Sequence, residues 1–574
     1  MPGAERAYRA FLQREPRHGA ALHLLGLIKA QQRQFSEAHR LLSRAVEAEP
    51  NSLPGLSSLA GVLAALGREE EALAISDRIL RLKPDDVDTH YNRGLLLARL
   101  GRSAEALDAY GRALRLKPDL AAALVNRGNL LVQLGRAAAA VADFDRAIAL
   151  NPRHAEAHNS RGVALAELDR RADALASYDQ ALALKPDYAE AHNNRGLLLW
   201  TLNRHAEAIA EYDRAQALKP DYADPCNNRG LALHDLHRYE DALASYGQAL
   251  ALRPDFAEAH FNQSLTQLAV GDLAAGWVSY EWRWKTRKST APWRDFPQPV
   301  WLGRAPLAGK TILLHAEQGF GDTIHFARYV PLVAALGASV VVETQPALQG
   351  LMARLDGVSA VVERGAALPA FDCHCPLGSL PLAFATELAT IPAKVPYLAA
   401  DPARAAHWRA RLVRGGRAAI GIAWCGNPTF RGDHNRSMAF SSFAPILTAA
   451  DAAFVTLNPG GTATDASDLA AHAGIVDLAS EFHDFDDTAA VIAGLDLVVT
   501  TDTATAHLAG ALGKPVWILL SDSPDWRWLL DRTDCPWYPS ARLFRQATLG
   551  DWRPVIARVQ QELANFVASV APSG

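Results

Sequence analysis

Apolar and polar positions along this chain follow two rhythms, and the change between them falls near residue 276. Before it, apolar residues recur at helical spacing and are punctuated by Pro16, Pro50, Pro84, Pro118, Pro152, Pro186, Pro220 and Pro254, each 34 residues after the last. Alanine keeps the same step at Ala38, Ala72, Ala106, Ala140, Ala174, Ala208 and Ala242, and glycine at Gly26, Gly94, Gly128, Gly162, Gly196 and Gly230. An aromatic does so at Tyr110, Phe144, Tyr178, Tyr212, Tyr246 and Tyr280. Each unit reads as two helices that cannot bury their apolar faces alone. Small residues let paired helices approach, aromatics fill the space between pairs, and proline ends the second helix. After Gly309 the rhythm changes to short apolar runs alternating with amphipathic ones. Residues 311–315, 339–343 and 358–362 read as strands, and 322–336 and 346–355 as helices. A second series starts after Arg417, with strands at 419–424, 497–500 and 516–519 and a helix at 504–512. Such alternation predicts parallel sheets covered by helices, with ligands at the carboxyl ends of strands.

The 34-residue unit resembles the tetratricopeptide repeat. Seven full repeats start at Gly19, Leu53, Val87, Ala121, Ala155, Ala189 and Ala223, with a lone second helix before them and an altered eighth repeat from Ala257. Asn92, Asn126, Asn194, Asn228 and Asn262 share one register, two residues before the repeat glycine, and Ser160 takes the remaining slot. Two readings fit. A row of asparagines can grip an extended polypeptide by its backbone, because each amide offers one acceptor and two donors. Alternatively, each joins neighbouring helices. The register resembles the asparagine ladder of nucleocytoplasmic O-GlcNAc transferases, where it holds the acceptor polypeptide. One position later stand Arg93, Arg127, Arg161, Arg195 and Arg229, as inter-repeat ion pairs or as charges in a groove.

Composition narrows the possibilities. A formal net charge of −4 argues against a general nucleic-acid or membrane-surface binder. Five scattered cysteines fit a reducing cytoplasm, and neither an export signal nor a membrane span is expected. Between Gly276 and Trp301 five tryptophans fall in a proline-rich stretch, too aromatic for a free linker, which reads as a cap joining the repeats to the next domain. Asp372-Cys373-His374-Cys375 would alternate between strand faces and has no partner pair at zinc-site spacing, so no metal is expected.

The loop after the first strand reads His315-Ala316-Glu317-Gln318-Gly319-Phe320-Gly321-Asp322. It is not a dinucleotide fingerprint, since Ile324 replaces the third glycine and an acid follows the second. Asp322 at a helix start is explained by capping. It is also placed to act as a general base on an acceptor hydroxyl, with Glu317 and His325 as alternatives. Gly321-Asp322 resembles the Gly-Asp pair of glycosyltransferase family 9, the heptosyltransferases of two Rossmann-like lobes (the GT-B architecture), in which the Asp is the catalytic base.

The second series carries donor-site candidates. Gly426 and Asn427 make a turn after a strand, and Arg431, His434 and Arg436-Ser437 follow, basic groups that can neutralise phosphate. At the start of helix 504–512, free N–H groups and the dipole favour an anion near Thr503 and Thr505. Asp502-Thr503-Ala504-Thr505-Ala506-His507, then Leu512-Gly513-Lys514-Pro515, resembles the family 9 pattern Asp-Thr-Gly-x-x-His and Leu-Gly-x-Pro, with Ala504 in place of the glycine. Asp484-Phe485-Asp486 mimics a metal-binding DxD signature, but a helix begins just after it and capping explains it better.

These patterns predict an all-α tetratricopeptide superhelix followed by an α/β GT-B fold of two Rossmann-like lobes. Residues 1–275 form the array, 276–304 the tryptophan-rich cap, and 305–414 the first lobe. Residues 415–574 form the nucleotide-sugar lobe with a terminal helix at 550–567 that crosses back to the first. Function follows as a cytoplasmic, bacterial-type protein O-glycosyltransferase. A polypeptide held by Asn92, Asn126, Asn194, Asn228 and Asn262 would receive a sugar from a nucleotide-activated donor. That donor would lie among Gly319, Gly321, Gly426, Asn427, Arg436, Ser437, Asp502, Thr503, Thr505 and His507, with inversion and without metal or other cofactor. The organisation resembles O-GlcNAc transferases and bacterial repeat–transferase fusions that glycosylate flagellin. Two alternatives stand: a lipopolysaccharide or glycan transferase using the repeats for assembly, and a catalytically inactive scaffold. The residues name neither the sugar nor the nucleotide, and leave the oligomeric state open.

Overall fold

A computed structural model describes residues 2–286, 293–412, 417–427, 433–457, 463–470, 472 and 474–570. The chain divides into two compact units, Met1–Pro225 and Cys226–Gly574. That division falls earlier than the change of composition at residue 276, because the last repeat helices pack into one body with the α/β portion.

The helices obey the 34-residue rhythm. First helices start at Gly19, Leu53, Val87, Ala121, Ala155, Ala189, Ala223 and Ala257, and the lone helix Pro2–Arg14 precedes them. Within a pair the fit is tight. A β-carbon on Gly94, Gly128 or Gly162 would lie 2.5–2.6 Å from the ring of Tyr110, Phe144 or Tyr178. The repeat alanines Ala106, Ala140 and Ala174 are fully buried beside them. Arg93, Arg127, Arg161 and Arg195 form ion pairs. Arg161 bonds Asp145 of the preceding repeat at 2.6 Å and Ser177 of its own second helix at 2.8 Å. Arg195 does the same with Asp179 and Glu211, both at 2.8 Å.

The boundary falls within the helix Ala223–Asp235, and the second unit continues with the helices Tyr239–Leu252, Ala257–Ala269 and Leu273–Tyr280. Two parallel sheets come next, an arrangement consistent with GT-B. In the first, β1 (Thr311–His315), β2 (Ser339–Thr344), β3 (Val358–Glu363) and β4 (Cys373–Pro376) stand in the order β3-β2-β1-β4. In the second stand β5 (Ala418–Ala423), β6 (Ala452–Thr456), β7 (Ile475–Val476), β8 (Leu497–Thr501), β9 (Val516–Leu520) and β10 (Ala541–Arg545). Their order is β10-β9-β8-β5-β6-β7. Cys373 and Cys375 enter the core, while His374 between them sits 3.1 Å from His315 on the neighbouring strand.

Three expectations are corrected. The helix read at 322–336 is two, Phe320–Phe326 and Val330–Ala335, with a tight turn at Ala327–Tyr329 between them. Pro331 has no N–H and its ring would meet the carbonyl of Ala327. The stretch 346–355 is a tight turn, Pro346–Leu348, followed by the short helix Gln349–Ala353. The terminal helix, Arg553–Val570, lies against the second sheet. Val555, Ile556, Val559 and Leu563 share a core with Ile420, Trp517 and Phe544, and Arg542 holds Glu562 by two bonds of 3.0 and 2.8 Å.

Of the tryptophan-rich stretch, residues 287–292 lie outside the described residues. The rest joins the last repeat to both sheets. Trp277 is buried, donates to the Thr386 carbonyl at 3.0 Å, and meets Trp526 edge-on at 5.1 Å.

Candidate active site

β1 delivers the chain into the loop Ala316–Gly319 at its carboxyl end, and the helix Phe320–Phe326 begins there. Asp322 caps this helix: Oδ2 accepts from the Gly319 N–H at 3.0 Å. Its other oxygen accepts from Arg527 Nη2, reaching across from the loop after β9. Burial raises the Asp322 pKa above its ordinary value, with the Arg527 charge pulling against it. Over a quarter of the Asp322 side chain is nevertheless exposed.

The alternative bases stand elsewhere. Glu317 is buried and accepts from Arg283 Nη2 at 3.2 Å and the Gly378 N–H at 3.0 Å. It belongs to a network that also includes Ser379 and Glu281 and ties the segment after the last repeat to the first sheet. His325 is fully buried, with its ring beside those of Phe326, Trp526 and Trp537. Burial, with Arg328 and Arg527 nearby, lowers its pKa well below the usual imidazole value. Neither faces open space as Asp322 does.

The second lobe brings the helix Ala504–Ala511 against the helix of Asp322. Gly321 permits the contact: a β-carbon there would lie 2.9 Å from His507 Cδ2 and 3.6 Å from the Ala504 Cα. The His507 ring stacks on Trp528 at 5.3 Å, and burial keeps its pKa well below 6.5. Thr503 and Thr505 are buried at the helix start, where the Thr503 backbone is extended and its side chain makes no cap. Asp502, just before, has its pKa raised to about 6 by burial and by the neighbouring charge of Asp525, against Arg436 and Arg527. The loop after β5 folds tightly on itself. Gly426 N–H donates to Ser437 Oγ at 2.8 Å, Ser437 Oγ donates to Asp433 at 2.7 Å, and Arg436 Nε donates to Asp433 at 3.1 Å. Asn427 is exposed beside it. Arg431 and the side chain of His434 lie outside the described residues. Asp484 caps the helix Phe485–Ala493 through the N–H groups of Asp486 and Asp487 at 2.9 and 3.2 Å.

Sequence reading passes over the cation at the centre. Arg527 is buried to 5% side-chain exposure, bonds Asp525 at 2.9 Å besides Asp322, and lies over Trp526 at 4.3 Å, while its Nε has no partner. Its position at the carboxyl end of a parallel strand is the usable signal. Tyr538 is also passed over; its hydroxyl lies 3.2 Å from His325 Nδ1 and 3.0 Å from His507 Nδ1.

The asparagine row is half satisfied from within. In the first unit, Asn126 Nδ2 donates to the Tyr91 hydroxyl at 2.9 Å and Asn194 Nδ2 to Asn159 Oδ1 at 3.1 Å, each reaching the preceding repeat; Asn92 is exposed. In the second, Asn262 Nδ2 donates to Asn227 Oδ1 at 2.9 Å, and Asn227 Nδ2 to Asn228 Oδ1 at 3.1 Å. Joining neighbouring helices is thus one thing these residues do. Asn126, Asn194, Asn228 and Asn262 are half-buried.

Family models agree with both rhythms. Tetratricopeptide-repeat models match residues 2–52, 29–100, 87–120, 128–169, 164–223 and 232–271. The model for glycosyltransferase family 9 (heptosyltransferase) matches residues 454–549, which include Asp502, His507, Arg527 and Tyr538. Protein FlbA of Caulobacter vibrioides is 31% identical over 338 residues, covering 54% of this chain and 55% of that protein. The chain therefore matches about half the length of this curated relative. Among solved structures, a tetratricopeptide repeat protein from Parabacteroides merdae is 20% identical, with 43% of this chain and 98% of that one covered and a TM-score of 0.39. YrrB, described as a TPR protein with an unusual peptide-binding site, is 23% identical, with 32% and 95% covered and a TM-score of 0.27. No helix among the described residues is long and apolar enough to cross a membrane.

Proposed function

We propose that this chain, in which tetratricopeptide repeats are joined to a glycosyltransferase family 9 domain, transfers a sugar from a nucleotide-activated donor to a Ser or Thr hydroxyl of a polypeptide held by the repeats. The observation that carries the transferase part is Asp322. It is a partly exposed carboxylate after the carboxyl end of β1, bonded by a buried arginine, and its neighbour Gly321 lies against the start of a second helix. Asp322 takes the proton of the acceptor hydroxyl as that oxygen attacks the anomeric carbon. The bond from that carbon to the donor's phosphate oxygen breaks in the same step, which inverts the anomeric centre. Negative charge collects on the departing phosphate, and Arg527, Arg436 and the start of the helix Ala504–Ala511 are the groups placed to stabilise it.

Support for a polypeptide acceptor comes from the half-buried asparagine row and from the repeats themselves, which present extended surfaces suited to binding chains. Gln318, in the glycine loop, donates to the Tyr280 hydroxyl of the last repeat at 2.7 Å, so this loop is built against the end of the array. Flagellin, the acceptor of the fusions that the sequence resembles, is the first polypeptide to test, in a cytoplasmic setting that fits the sparse cysteines. A saccharide acceptor is favoured instead by the family model's own description as a heptosyltransferase.

The deciding experiment is a calorimetric screen of UDP, GDP, ADP, dTDP and CMP against wild type, Arg436→Ala and Arg527→Met. Selective binding of one nucleotide, weakened by both substitutions, is expected. Binding of none would move the chain to the scaffold class. With a donor known, Asn228→Ala combined with Asn262→Ala is expected to abolish transfer to a polypeptide and spare donor hydrolysis. Unchanged polypeptide transfer would favour the saccharide acceptor.

A further inference from the structure

Two buried imidazoles share one phenol. Tyr538 offers its hydroxyl to Nδ1 of His325 and to Nδ1 of His507, at 3.2 and 3.0 Å, and all three side chains are buried. A phenol has one proton, so it can donate to only one of the two rings. At least one histidine must therefore carry its proton on Nδ1. His325 decides which. Its Nε2 has no partner and lies within a box of aromatic rings. An N–H placed there would be an orphaned buried donor, which folded proteins avoid more strictly than an unmatched acceptor. The His325 proton therefore sits on Nδ1 and is donated to Tyr538. Tyr538 then has its own proton to place, and His507 Nδ1, the nearer ring nitrogen at 3.0 Å, is the acceptor in line for it; donation there leaves the His507 proton on Nε2. That edge of the ring lies against Gly321, one residue before Asp322, and stacking on Trp528 fixes its plane.

We propose that His325 and Tyr538 form a positioning relay that holds His507 as the neutral Nε2–H tautomer, with its donor aimed at the Gly321–Asp322 turn for an oxygen of the departing phosphate. Only the identity of that oxygen rests on the transferase function proposed above. The tautomers follow from the geometry of the free protein. Burial, with arginines nearby, opposes a positive charge on either ring, so His507 acts as a neutral donor. A neutral donor that loses no proton as substrate charge develops serves as a fixed electrophile.

Long-range proton–nitrogen correlation spectra of the full chain, labelled in histidine and assigned with His325→Gln and His507→Gln, read each ring directly. The expected result is a bare Nε2 on His325 and a bare Nδ1 on His507, unchanged from about pH 6 to 8. An Nδ1–H tautomer on His507, or titration of either ring in that range, would overturn the relay. Tyr538→Phe is expected to replace the single His507 tautomer by a mixture, whereas a persisting pure Nε2–H form would remove Tyr538 from the relay. His325→Gln, which still supplies an N–H to Tyr538, is expected to preserve the His507 tautomer, and His325→Leu to lose it. The wild-type spectrum decides even where a variant fails to fold. The stated tautomers in a chain that binds no nucleotide would retain the relay and sink the transferase. An active transferase with His507 protonated on Nδ1 would sink the relay alone.

Discussion

Asp322, the proposed base, has two partners that it cannot keep while acting as one. One oxygen caps its own helix and the other takes Arg527. A base clasped by a guanidinium is a poor base, so an anion that draws Arg527 away raises the basicity of Asp322. By linkage, removing the Asp322 charge must strengthen anion binding at Arg527. Asp322→Asn is therefore expected to lower turnover by roughly 10²–10⁴-fold while binding inorganic pyrophosphate more tightly than wild type. Weaker or unchanged binding by calorimetry would show that Arg527 does not receive the phosphate. The raised pKa sets the pH profile: the base must be bare, so turnover should fall as pH drops through a value above the ordinary carboxylate, about 4. An acid limb below that range would exclude Asp322. Asp502 gives a stability test with the opposite sign from a salt-bridged carboxylate. With a folded pKa near 6 against an unfolded value near 3.8, the folded state binds the extra proton. Its charged form thus costs stability above pH 6, and that cost fades as pH falls toward 4. Asp502→Asn is expected to raise the Tm of the α/β portion by about 2 °C or more at pH 7.5, an advantage that disappears near pH 4. Equal thermal shifts at both pH values would contradict it.

Two short helices meet closely at Gly321. Gly321→Ala puts a carbon 2.9 Å from the His507 ring. It is expected to cost about 1–3 kcal/mol and to lower turnover more than donor binding, because it moves the Asp322 and His507 helices apart. Full activity with unchanged stability would show that the ring yields freely. At this scale the sequence is readable in parts. All eight first helices of the repeats start where the period places them, since each repeat meets only its neighbours and the pattern is local. β1 runs over 311–315 as expected, β8 and β9 run one residue further, and β5 lies one residue earlier at both ends. The first-lobe helix is shorter than its amphipathic pattern predicts, because the Pro331 ring stops it. An apolar stripe says how much of the terminal helix is buried, not against which neighbour, and the helix packs on the second sheet. The site divides along the same line. Asp322 and the Asp502–His507 stretch carry local motifs. Arg527, which lies 205 residues from Asp322, and Tyr538, 213 from His325, are brought in by folding alone. The asparagine register is visible in the sequence, but its partners Tyr91, Asn159 and Asn227 are not, since they sit one step earlier in the preceding repeat.

Across the second unit, what makes the last repeat and the first sheet one body is a buried polar knot beside an aromatic one. Arg283 is buried, lies over Tyr280 and Trp284, and bonds Glu281, Glu317 and Ser379 at once. Glu317 lies in the loop Ala316–Gly319 that leads into the helix of Asp322, so the knot fixes that loop to the end of the repeat array. Arg283→Met removes the cation and leaves Glu317 buried with only the Gly378 N–H. Breaking one partner of such a pair costs about 3–5 kcal/mol, far more than the pair contributes relative to an apolar substitute. Burial already raises the Glu317 pKa, and losing Arg283 raises it further, so the carboxyl takes up a proton as pH falls and the penalty shrinks. Arg283→Met should therefore be most destabilising near pH 8 and less so near pH 5. Adding Glu317→Gln should recover part of the loss, giving a coupling energy above the ~0.5 kcal/mol expected of independent sites. Turnover should fall in Arg283→Met even where the protein stays folded, because the loop before Asp322 loses its anchor, and should return partly in the double variant. Additive losses without pH dependence would mean that the two side chains act separately, and the loop would then owe its position to Trp277 and its aromatic neighbours.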